Sequence, residues 1–162
     1  GACTAGTYFA GLLANRGLKV LVIDRDKEEN LAKRLDIIHF TRDSYTEFGV
    51  EPSGEGDEEF VRNFHVCYGK SALNNHLKTN YINVAVLHLP LFIKRLRKTA
   101  IDAGATFQFE TAFKELRYEN GRIAGIITTE GEEIPARLVV DASGISAVVR
   151  KWLENPPPRK YS

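Results

Sequence analysis

The sequence predicts an α/β fold with a parallel sheet, an antiparallel meander used as a crossover, and part of a second antiparallel sheet. Three observations lead to this fold class. A glycine-rich turn at residues 1–6 runs directly into an apolar-periodic helix. A buried-strand pattern then ends on the acid Asp24. Finally, short strands separated by turn residues occupy 113–136, where a second crossover helix would otherwise lie.

The composition excludes several classes of protein. The chain has 162 residues, of which 43% are hydrophobic and 27% charged, as expected for a globular core. A net charge of +1 gives no reason to expect a nucleic-acid partner. The two cysteines, Cys3 and Cys67, cannot build a disulfide framework and suit a reducing cytoplasm. No apolar run reaches the length of a membrane span, so we expect no integral membrane segment.

The opening turn, Gly1-Ala2-Cys3-Thr4-Ala5-Gly6, is close to the G-x-G-x-x-G dinucleotide fingerprint. Gly1 allows the tight turn, and Gly6 lets the helix pack closely on a sheet. The third position should be small so that backbone can approach a pyrophosphate. Cys3 departs from the fingerprint because its Cβ makes a positive φ costly. Thr4 and Ala5 begin the helix, whose free N–H groups would face the anion.

The context of the turn supports a nucleotide site. Apolar residues at helical spacing follow it, with Gly17 as a cap: the predicted stripe is Ala5, Phe9, Leu12 and Leu13. A buried parallel strand is predicted over 18–23, and it ends on Asp24. An acid at this distance from the fingerprint can accept hydrogen bonds from ribose hydroxyls. We therefore place Asp24 and its neighbour Arg25 in the candidate site.

The middle of the chain is less regular. Residues 31–40 are predicted as a loop with a short helical turn, and 51–59 as a solvated acidic loop. Pro90 stands in the first turn of a strong amphipathic helix, whose predicted apolar stripe is Leu89, Phe92, Ile93, Leu96 and Ala100. The remaining predicted elements are a short helix over 41–49 capped by Thr41 and Gly49, strands at 60–68, 81–87 and 105–109, and the Pro90 helix, which ends at 103–104.

The last third is predicted to combine a meander with a return to the buried sheet. Glu119-Asn120-Gly121 is a strong hairpin signal between strands 113–118 and 122–129, and a third strand covers 132–136. Residues 138–140 read as a buried strand. A helix then follows, with one apolar face made by Ile145, Val148, Val149 and Trp152.

We expect one partial domain over 1–162. Its nucleotide-binding part would consist of 1–58 and 89–155, and 59–88 would supply strands of an inserted, incomplete sheet on the substrate side. A doubly wound sheet has a strand before the fingerprint turn, and the sequence contains no methionine. These two observations lead us to expect a piece of a longer protein.

A metal site is not expected. His65, Cys67 and His76 could be drawn as ligands, but one thiol and two isolated imidazoles favour structural or surface roles. Cys67 is expected to be a buried, inert thiol rather than a reactive one. No nucleophile elbow or phosphate-binding P-loop occurs, and no catalytic residue is assigned.

Three features together, namely the fingerprint followed by VLVIDRD (20–26), the meander, and VVDASGISAVVR (139–150), resemble one flavoprotein family. It is the family of geranylgeranyl reductases and aromatic-ring hydroxylases, with an FAD-binding domain of the hydroxybenzoate-hydroxylase type. The resemblance implies a Rossmann-like FAD-binding domain. It places Asp141 and Gly144 near the FAD pyrophosphate and ribityl chain. Ser146 and Arg150 match the pattern that follows them.

Some positions match this family less closely. Ser143 stands where the family often has a second acid, and Lys33-Arg34 is a looser match to a basic residue near the flavin; we include Arg34 in the candidate site. The family often has an arginine just before the Pro90 helix, whereas this chain reads His88-Leu89-Pro90. The later G-D motif of the family does not occur in these 162 residues.

The resemblance implies an FAD-dependent oxidoreductase that reduces or hydroxylates a small organic or isoprenoid substrate, with NAD(P)H as a candidate electron donor. A flavin carries the redox chemistry, so the protein mainly positions and tunes it. Two alternatives stay open: a module that binds FAD or NAD without redox chemistry, and an NAD-dependent dehydrogenase. The meander argues against the dehydrogenase.

Overall fold

A computed structural model describes residues 1–33, 37–52, 58–60, 64–66, 77–79 and 84–154. The chain forms two compact units, one made of residues 1–31 with 93–162 and the other of residues 32–92. In chain order the elements are α1 (Thr4–Ala14), β1 (Leu21–Ile23), β2 (Ile37–Thr41), α2 (Asp43–Phe48), β3 (Glu58–Phe60), β4 (Phe64–Val66), β5 (Leu77–Thr79), β6 (Val84–His88), α3 (Leu89–Asp102), β7 (Thr106–Gln108), β8 (Phe113–Glu119), β9 (Arg122–Thr128), β10 (Glu133–Pro135) and α4 (Val148–Glu154).

The predicted parallel sheet is present as the pair β1 and β7. Leu21 lies opposite Thr106, and Ile23 opposite Gln108. Strand β1 is shorter than the predicted 18–23, since only three residues form its ladder. Val22 is 8% exposed and packs in the core. The α/β fold class and its parallel sheet are thereby confirmed.

The predicted apolar stripe of α1 is wrong in its composition. The buried residues are Thr7, Ala10, Gly11 and Ala14. Phe9, which we predicted to be buried, is 40% exposed. The reason is close packing between helices: a Cβ placed on Gly11 would lie 3.5 Å from the Cα and Cβ of Ala100 on α3. Small side chains permit this approach, and the larger apolar ones lie to the side of it.

Helix α3 follows its prediction closely. It begins at Leu89 with Pro90 in the first turn and ends at Asp102. Its predicted stripe is buried, as the accessible surface shows for Leu89, Phe92, Ile93, Leu96 and Ala100. Gly104 follows the helix with φ +101°, a conformation that favours glycine.

The meander is also confirmed. Strand β9 is the centre of a three-stranded antiparallel sheet with β8 and β10 on its sides. Asn120 and Gly121 join β8 to β9 with φ of 51° and 75°, the left-handed pair that a type I′ hairpin turn requires. Leu116 and Ile126 are opposite each other and buried.

The unit made of 32–92 contains more strand than the sequence predicts. Residues 37–40, predicted as loop, and Thr41, predicted as a helix cap, form β2, which pairs with β6 over five residues. Strand β3 pairs with the other side of β6. Strand β5 lies in the stretch that we predicted to connect strands 60–68 and 81–87, and it pairs with β4. Helix α2 ends as predicted, on Gly49 with φ +60°. Long-range pairing thus decides the state of β2, whose local sequence is ambiguous.

Two expectations near the end of the chain are wrong. Residues 138–140 form no strand, and Leu138 is 69% exposed, because no strand in the described part of the chain pairs with them. Ile145 is fully exposed rather than on a helix face. A 3-10 turn over Gly144–Ser146 and a left-handed Ala147 delay the start of α4 until Val148.

An apolar cavity of about 1010 Å³ lies within the unit that contains both chain ends. Helix α1, strand β1, the meander and residues 138–143 surround it. Phe9, Leu21 and Leu138 contribute exposed apolar surface to its walls. Gly1 and Gly6 lie on its lining, so the glycine turn is at one boundary of this cavity.

Candidate functional site

The candidate site is built around the turn from Gly1 to Gly6. Neither glycine could carry a side chain in this arrangement. A Cβ on Gly6 would overlap the Gly1 carbonyl oxygen and would lie 3.1 Å from the Cβ of Ala142. A Cβ on Gly1 would overlap the Ala142 carbonyl oxygen. Both glycines are therefore required for the close approach of backbone segments, as the fingerprint predicts.

Two buried residues fix the turn from within. Ala2 and Thr7 are each 0% exposed. The Thr7 hydroxyl donates a 2.7 Å hydrogen bond to the Ala2 carbonyl oxygen, and the Thr7 backbone N–H donates to the Cys3 carbonyl oxygen. The turn is thus held by a helix side chain as well as by the helix backbone.

Cys3 occupies the N-cap position of α1 without forming a side-chain cap. Its φ is −80° and its ψ −169°, an extended conformation that any residue adopts. The cost that we expected from a positive φ therefore does not arise. The thiol is exposed. Thr4 is half-buried and Ala5 exposed at the start of the helix, where the first N–H groups lack partners within the helix.

Asp24 connects the end of β1 to the glycine turn. Its Oδ2 accepts a 2.6 Å hydrogen bond from the Ala2 backbone N–H, and its Oδ1 accepts one of 2.9 Å from the Asp26 N–H. A carboxylate has about four acceptor positions. Two donors leave Asp24 with capacity for further hydrogen bonds. The backbone of Asp24 is anchored too, since its N–H donates to Gln108 and its carbonyl accepts from Thr111.

The segment that follows Asp24 is held by a buried arginine. Arg97 of α3 is 8% exposed, and its Nη2 donates a 2.5 Å hydrogen bond to Oε1 of Glu28. The same guanidinium lies 5.6 Å from the centre of the Phe109 ring. Arg25, by contrast, is exposed, and its Nε is 3.9 Å from Asp26. Arg34 lies outside the described residues.

Asp141 accepts four hydrogen bonds, two from its own loop and two from the start of α4. Its Oδ1 accepts from the Ser143 N–H at 3.1 Å and from the Ser143 hydroxyl at 2.6 Å. Its Oδ2 accepts from the N–H groups of Val149 at 3.1 Å and Arg150 at 3.0 Å. The Ser143 Oγ in turn accepts from the Val148 N–H at 2.9 Å. The carboxylate thereby ties the start of the loop to the start of α4.

These hydrogen bonds also set the charge state of Asp141. Partial burial acts to raise the pKa of Asp141, but hydrogen bonds from the Ser143 side chain and from the Arg150, Ser143 and Val149 backbones outweigh it. The pKa of Asp141 consequently lies below its ordinary value. The loop therefore contains an exposed negative charge at neutral pH, and both of its oxygens accept hydrogen bonds from the protein.

Three segments that are distant in sequence meet at this site: the turn 1–6, Asp24 and the loop that begins at Asp141. Gly144 belongs to that loop and has φ +63°, but it is exposed and, in the described structure, a Cβ there would meet open space. Sequence reasoning missed Thr7, Ala142 and the role of Ser143. A threonine in the first turns of a helix is a signal for a side-chain bond to nearby backbone, whereas nothing in the sequence marks Ala142.

Other candidate centres are not supported within the ranges that the structure covers. No group of three metal-ligating side chains is found among the described residues. Cys67 and His76 lie outside those residues, and the side chain of His65 does too. Among the helices described, none is long and apolar enough to cross a membrane.

The arrangement is suited to binding a dinucleotide. The first N–H groups of α1 offer donors for a pyrophosphate, and Asp24 offers acceptors for hydroxyl groups. The two glycines leave no side chain between backbone and ligand.

Comparison with known proteins identifies the kind of dinucleotide. The family model for the FAD binding domain matches residues 1–159. The digeranylgeranylglycerophospholipid reductase of Methanocella arvoryzae is 29% identical over 158 residues, which cover 94% of this chain and 40% of the reductase. The chain thus spans less than half the length of this relative.

Solved structures agree on the fold. A geranylgeranyl bacteriochlorophyll reductase-like protein of Thermoplasma acidophilum superimposes with a TM-score of 0.78 and 23% identity, covering 91% of this chain and 38% of that protein. PqsL of Pseudomonas aeruginosa, described as a probable FAD-dependent monooxygenase, superimposes with a TM-score of 0.68 and 21% identity, covering 100% of this chain and 46% of PqsL.

Proposed function

The chain belongs to the FAD binding domain family, and from that membership we propose that it is the cofactor-binding part of an FAD-dependent oxidoreductase. The observation that carries the proposal is Asp24, which contacts the glycine turn through Ala2 and keeps acceptor capacity for a ribose. The glycine turn, α1 and Asp24 follow one another along the chain in the order that a dinucleotide-binding site requires.

The residues fit FAD in this proposal. The N–H groups at the start of α1 would bind the pyrophosphate, with Gly1 and Gly6 keeping the approach open. Asp24 would hold the adenosine ribose. Arg25 is exposed beside it, paired with Asp26 at 3.9 Å, and would turn toward a phosphate or ribose. A bound flavin supplies the electron transfer, and these residues bind and orient it.

The substrate is proposed to be a small organic or isoprenoid molecule, either reduced at a carbon–carbon double bond or hydroxylated. Relatives of both kinds support the two options: a digeranylgeranylglycerophospholipid reductase and a described FAD-dependent monooxygenase. NAD(P)H is proposed as the electron donor. The low cysteine content supports a reducing, cytoplasmic location.

The identity of the cofactor is tested by what the purified protein holds. We expect a yellow protein that releases FAD on denaturation, or a colourless one that takes up added FAD with a flavin spectrum. A protein that releases or binds only NAD, and does not take up FAD, would contradict the proposal and favour a dehydrogenase.

The reaction type needs a second measurement on FAD-loaded protein. Oxidation of NAD(P)H that consumes dioxygen in the presence of an aromatic compound would indicate a hydroxylase. Oxidation that instead saturates an unsaturated isoprenoid, without dioxygen, would indicate a reductase. Tight FAD binding with neither reaction would favour a binding module without redox chemistry.

A further inference from the structure

The two acids of the candidate site differ in how fully their oxygens are used. Asp24 accepts two hydrogen bonds, from Ala2 and Asp26. Asp141 accepts four, two on each oxygen. An ionised carboxylate has about four lone-pair positions. By this count Asp24 has acceptor positions left for a ligand hydroxyl, whereas donors of the protein already use those of Asp141.

The loop that begins at Asp141 contacts the glycine turn through Ala142, the next residue in the chain. A Cβ on Gly1 would overlap the carbonyl oxygen of Ala142, and a Cβ on Gly6 would lie 3.1 Å from the Cβ of Ala142. The position of Ala142 thus limits the shape of the turn. Asp141 and Ser143, on either side of Ala142, are joined by two hydrogen bonds.

We propose that Asp141 is a positioning residue for the cofactor: its carboxylate holds the 141–150 loop, and so Ala142, against the glycine turn without contacting the cofactor. The inference rests on the proposed function and adds to it a different role for each acid. Asp24 contacts the cofactor, and Asp141 acts through Ser143 and Ala142.

Ser143 is the second component of this device. Its hydroxyl donates to Asp141 and accepts from the Val148 N–H, so it links the carboxylate to the first residue of α4. Between Ser143 and Val148 in the chain, Gly144 has a φ of 63° and Ala147 a φ of 43°. A left-handed alanine carries a conformational cost, which the surrounding hydrogen bonds must offset.

The test separates positioning from contact by changing Ser143 and leaving Asp141 in place. Ser143→Ala keeps the carboxylate and frees one of its acceptor positions. Direct contact of Asp141 with FAD would therefore leave FAD affinity unchanged or improved in this variant. Positioning predicts a dissociation constant for FAD raised about tenfold, because a hydrogen bond to a charged group is lost. Ser143→Thr, which keeps the hydroxyl, should restore the affinity.

A second measurement needs no cofactor. Amide hydrogen exchange of the FAD-free protein should show faster exchange at Val149 and Arg150 in Asp141→Ala, by about tenfold or more, because alanine offers no acceptor to either N–H. Asp102→Ala, an exposed acid on α3 paired with Lys98, is the matched control and should leave both amides and FAD affinity unchanged.

The outcomes distinguish this inference from the proposed function. Failure of the unmodified protein to bind FAD overturns the proposed function. Normal FAD binding by the unmodified protein and by Ser143→Ala overturns only the positioning role. Unchanged exchange at Val149 and Arg150 in Asp141→Ala also overturns it, whatever happens to FAD affinity.

Discussion

The Ala2 backbone N–H donates a 2.6 Å hydrogen bond to the Asp24 carboxylate across 22 positions of sequence. This bond joins the two parts of the fingerprint, the glycine turn and the acid at the end of the next strand. Ala2 is 0% exposed, so its N–H has little access to water. Loss of the carboxylate would leave that donor without its partner.

Replacement of Asp24 should therefore weaken FAD binding. In Asp24→Ala we expect the dissociation constant to rise by about one to two orders of magnitude, the equivalent of roughly 1.5–3 kcal/mol for a hydrogen bond to a charged group. Titration of FAD-free protein gives this value. Asp26→Ala is the control, because Asp26 is exposed and its side chain lies 3.9 Å from Arg25. Equal affinity of all three proteins would mean that Asp24 is only a solvated strand end.

Gly6 and Gly11 lie on the same helix and should respond in opposite ways to alanine. In Gly6→Ala the new methyl group would overlap the Gly1 carbonyl oxygen, so we expect a loss of about 1–3 kcal/mol in the free energy of unfolding and a large loss of FAD affinity. In Gly11→Ala the methyl group would lie 3.5 Å from Ala100, an ordinary contact. That variant should be neutral or more stable by up to about 1 kcal/mol, from the higher helix propensity of alanine. Chemical denaturation of the pair tests this prediction, and equal losses in both would contradict it.

Cys3 offers a simple stabilising change. The residue has the extended backbone of an N-cap but makes no side-chain cap bond. Cys3→Ser would supply an oxygen that can accept from a free N–H in the first turn of α1, and we expect a gain of about 0.5–2 kcal/mol in unfolding free energy. Cys3→Ala has no acceptor and should show no gain. A serine variant no more stable than the alanine variant would show that the first turn cannot be capped in this way.

Arg97 should contribute more to stability than its exposed neighbour Lys98. Arg97→Met would remove a buried partner of Glu28 and a cation over the Phe109 ring, and we expect a loss of about 1–3 kcal/mol. Lys98 is 75% exposed and pairs with Asp102 along the helix. Lys98→Met should change stability by less than about 0.5 kcal/mol. Thermal unfolding of both variants decides between this ranking and the reverse.

Asp141 makes the stability of the protein sensitive to acid. Its folded-state pKa is lowered by the hydrogen bonds from Ser143, Arg150 and Val149, which outweigh burial. The unfolded chain therefore takes up the proton first as the pH falls. The stabilising contribution is fully present above the ordinary aspartate pKa of about 3.9 and is lost as the pH falls through the lower folded-state pKa.

The measurement for this pH dependence is the difference in unfolding free energy between the unmodified protein and Asp141→Asn. That difference should be constant near neutral pH and should shrink below about pH 4. Taking the difference cancels the contributions of the other carboxylates. A difference that does not change with pH would show that protonation of Asp141 is not coupled to folding.

Local sequence predicted the elements that depend on local interactions. Helix α3 has a complete apolar stripe and a proline in its first turn, and the 120–121 hairpin has the residues that a left-handed pair requires. The structure confirms both. The spacing of Gly1 and Gly6 likewise located the turn, because glycine in the sequence directly marks positions at which a side chain would not fit.

Features that depend on distant partners could not be predicted in this way. Strand β2 forms because β6, more than forty residues later, pairs with it. Helix α1 buries Thr7 and Gly11 rather than Phe9 because Ala100 on α3 allows close packing there. The oxygens of Asp141 accept from Ser143 and also from the more distant Val149 and Arg150. The residue type alone does not reveal that these acceptor positions are already used.

The parallel pairing of β1 with β7 carries a kinetic consequence. Thr106 donates its hydroxyl hydrogen bond to the Val20 carbonyl across 86 positions, with the whole of the 32–92 unit between them. Loop-closure entropy must be overcome before such a contact contributes, and parallel pairings of long range form slowly. If the intervening unit folds first, it shortens the effective loop. The order of events during synthesis would then be set by the inserted unit, and the nucleotide-binding edge would be the last part of the sheet to assemble.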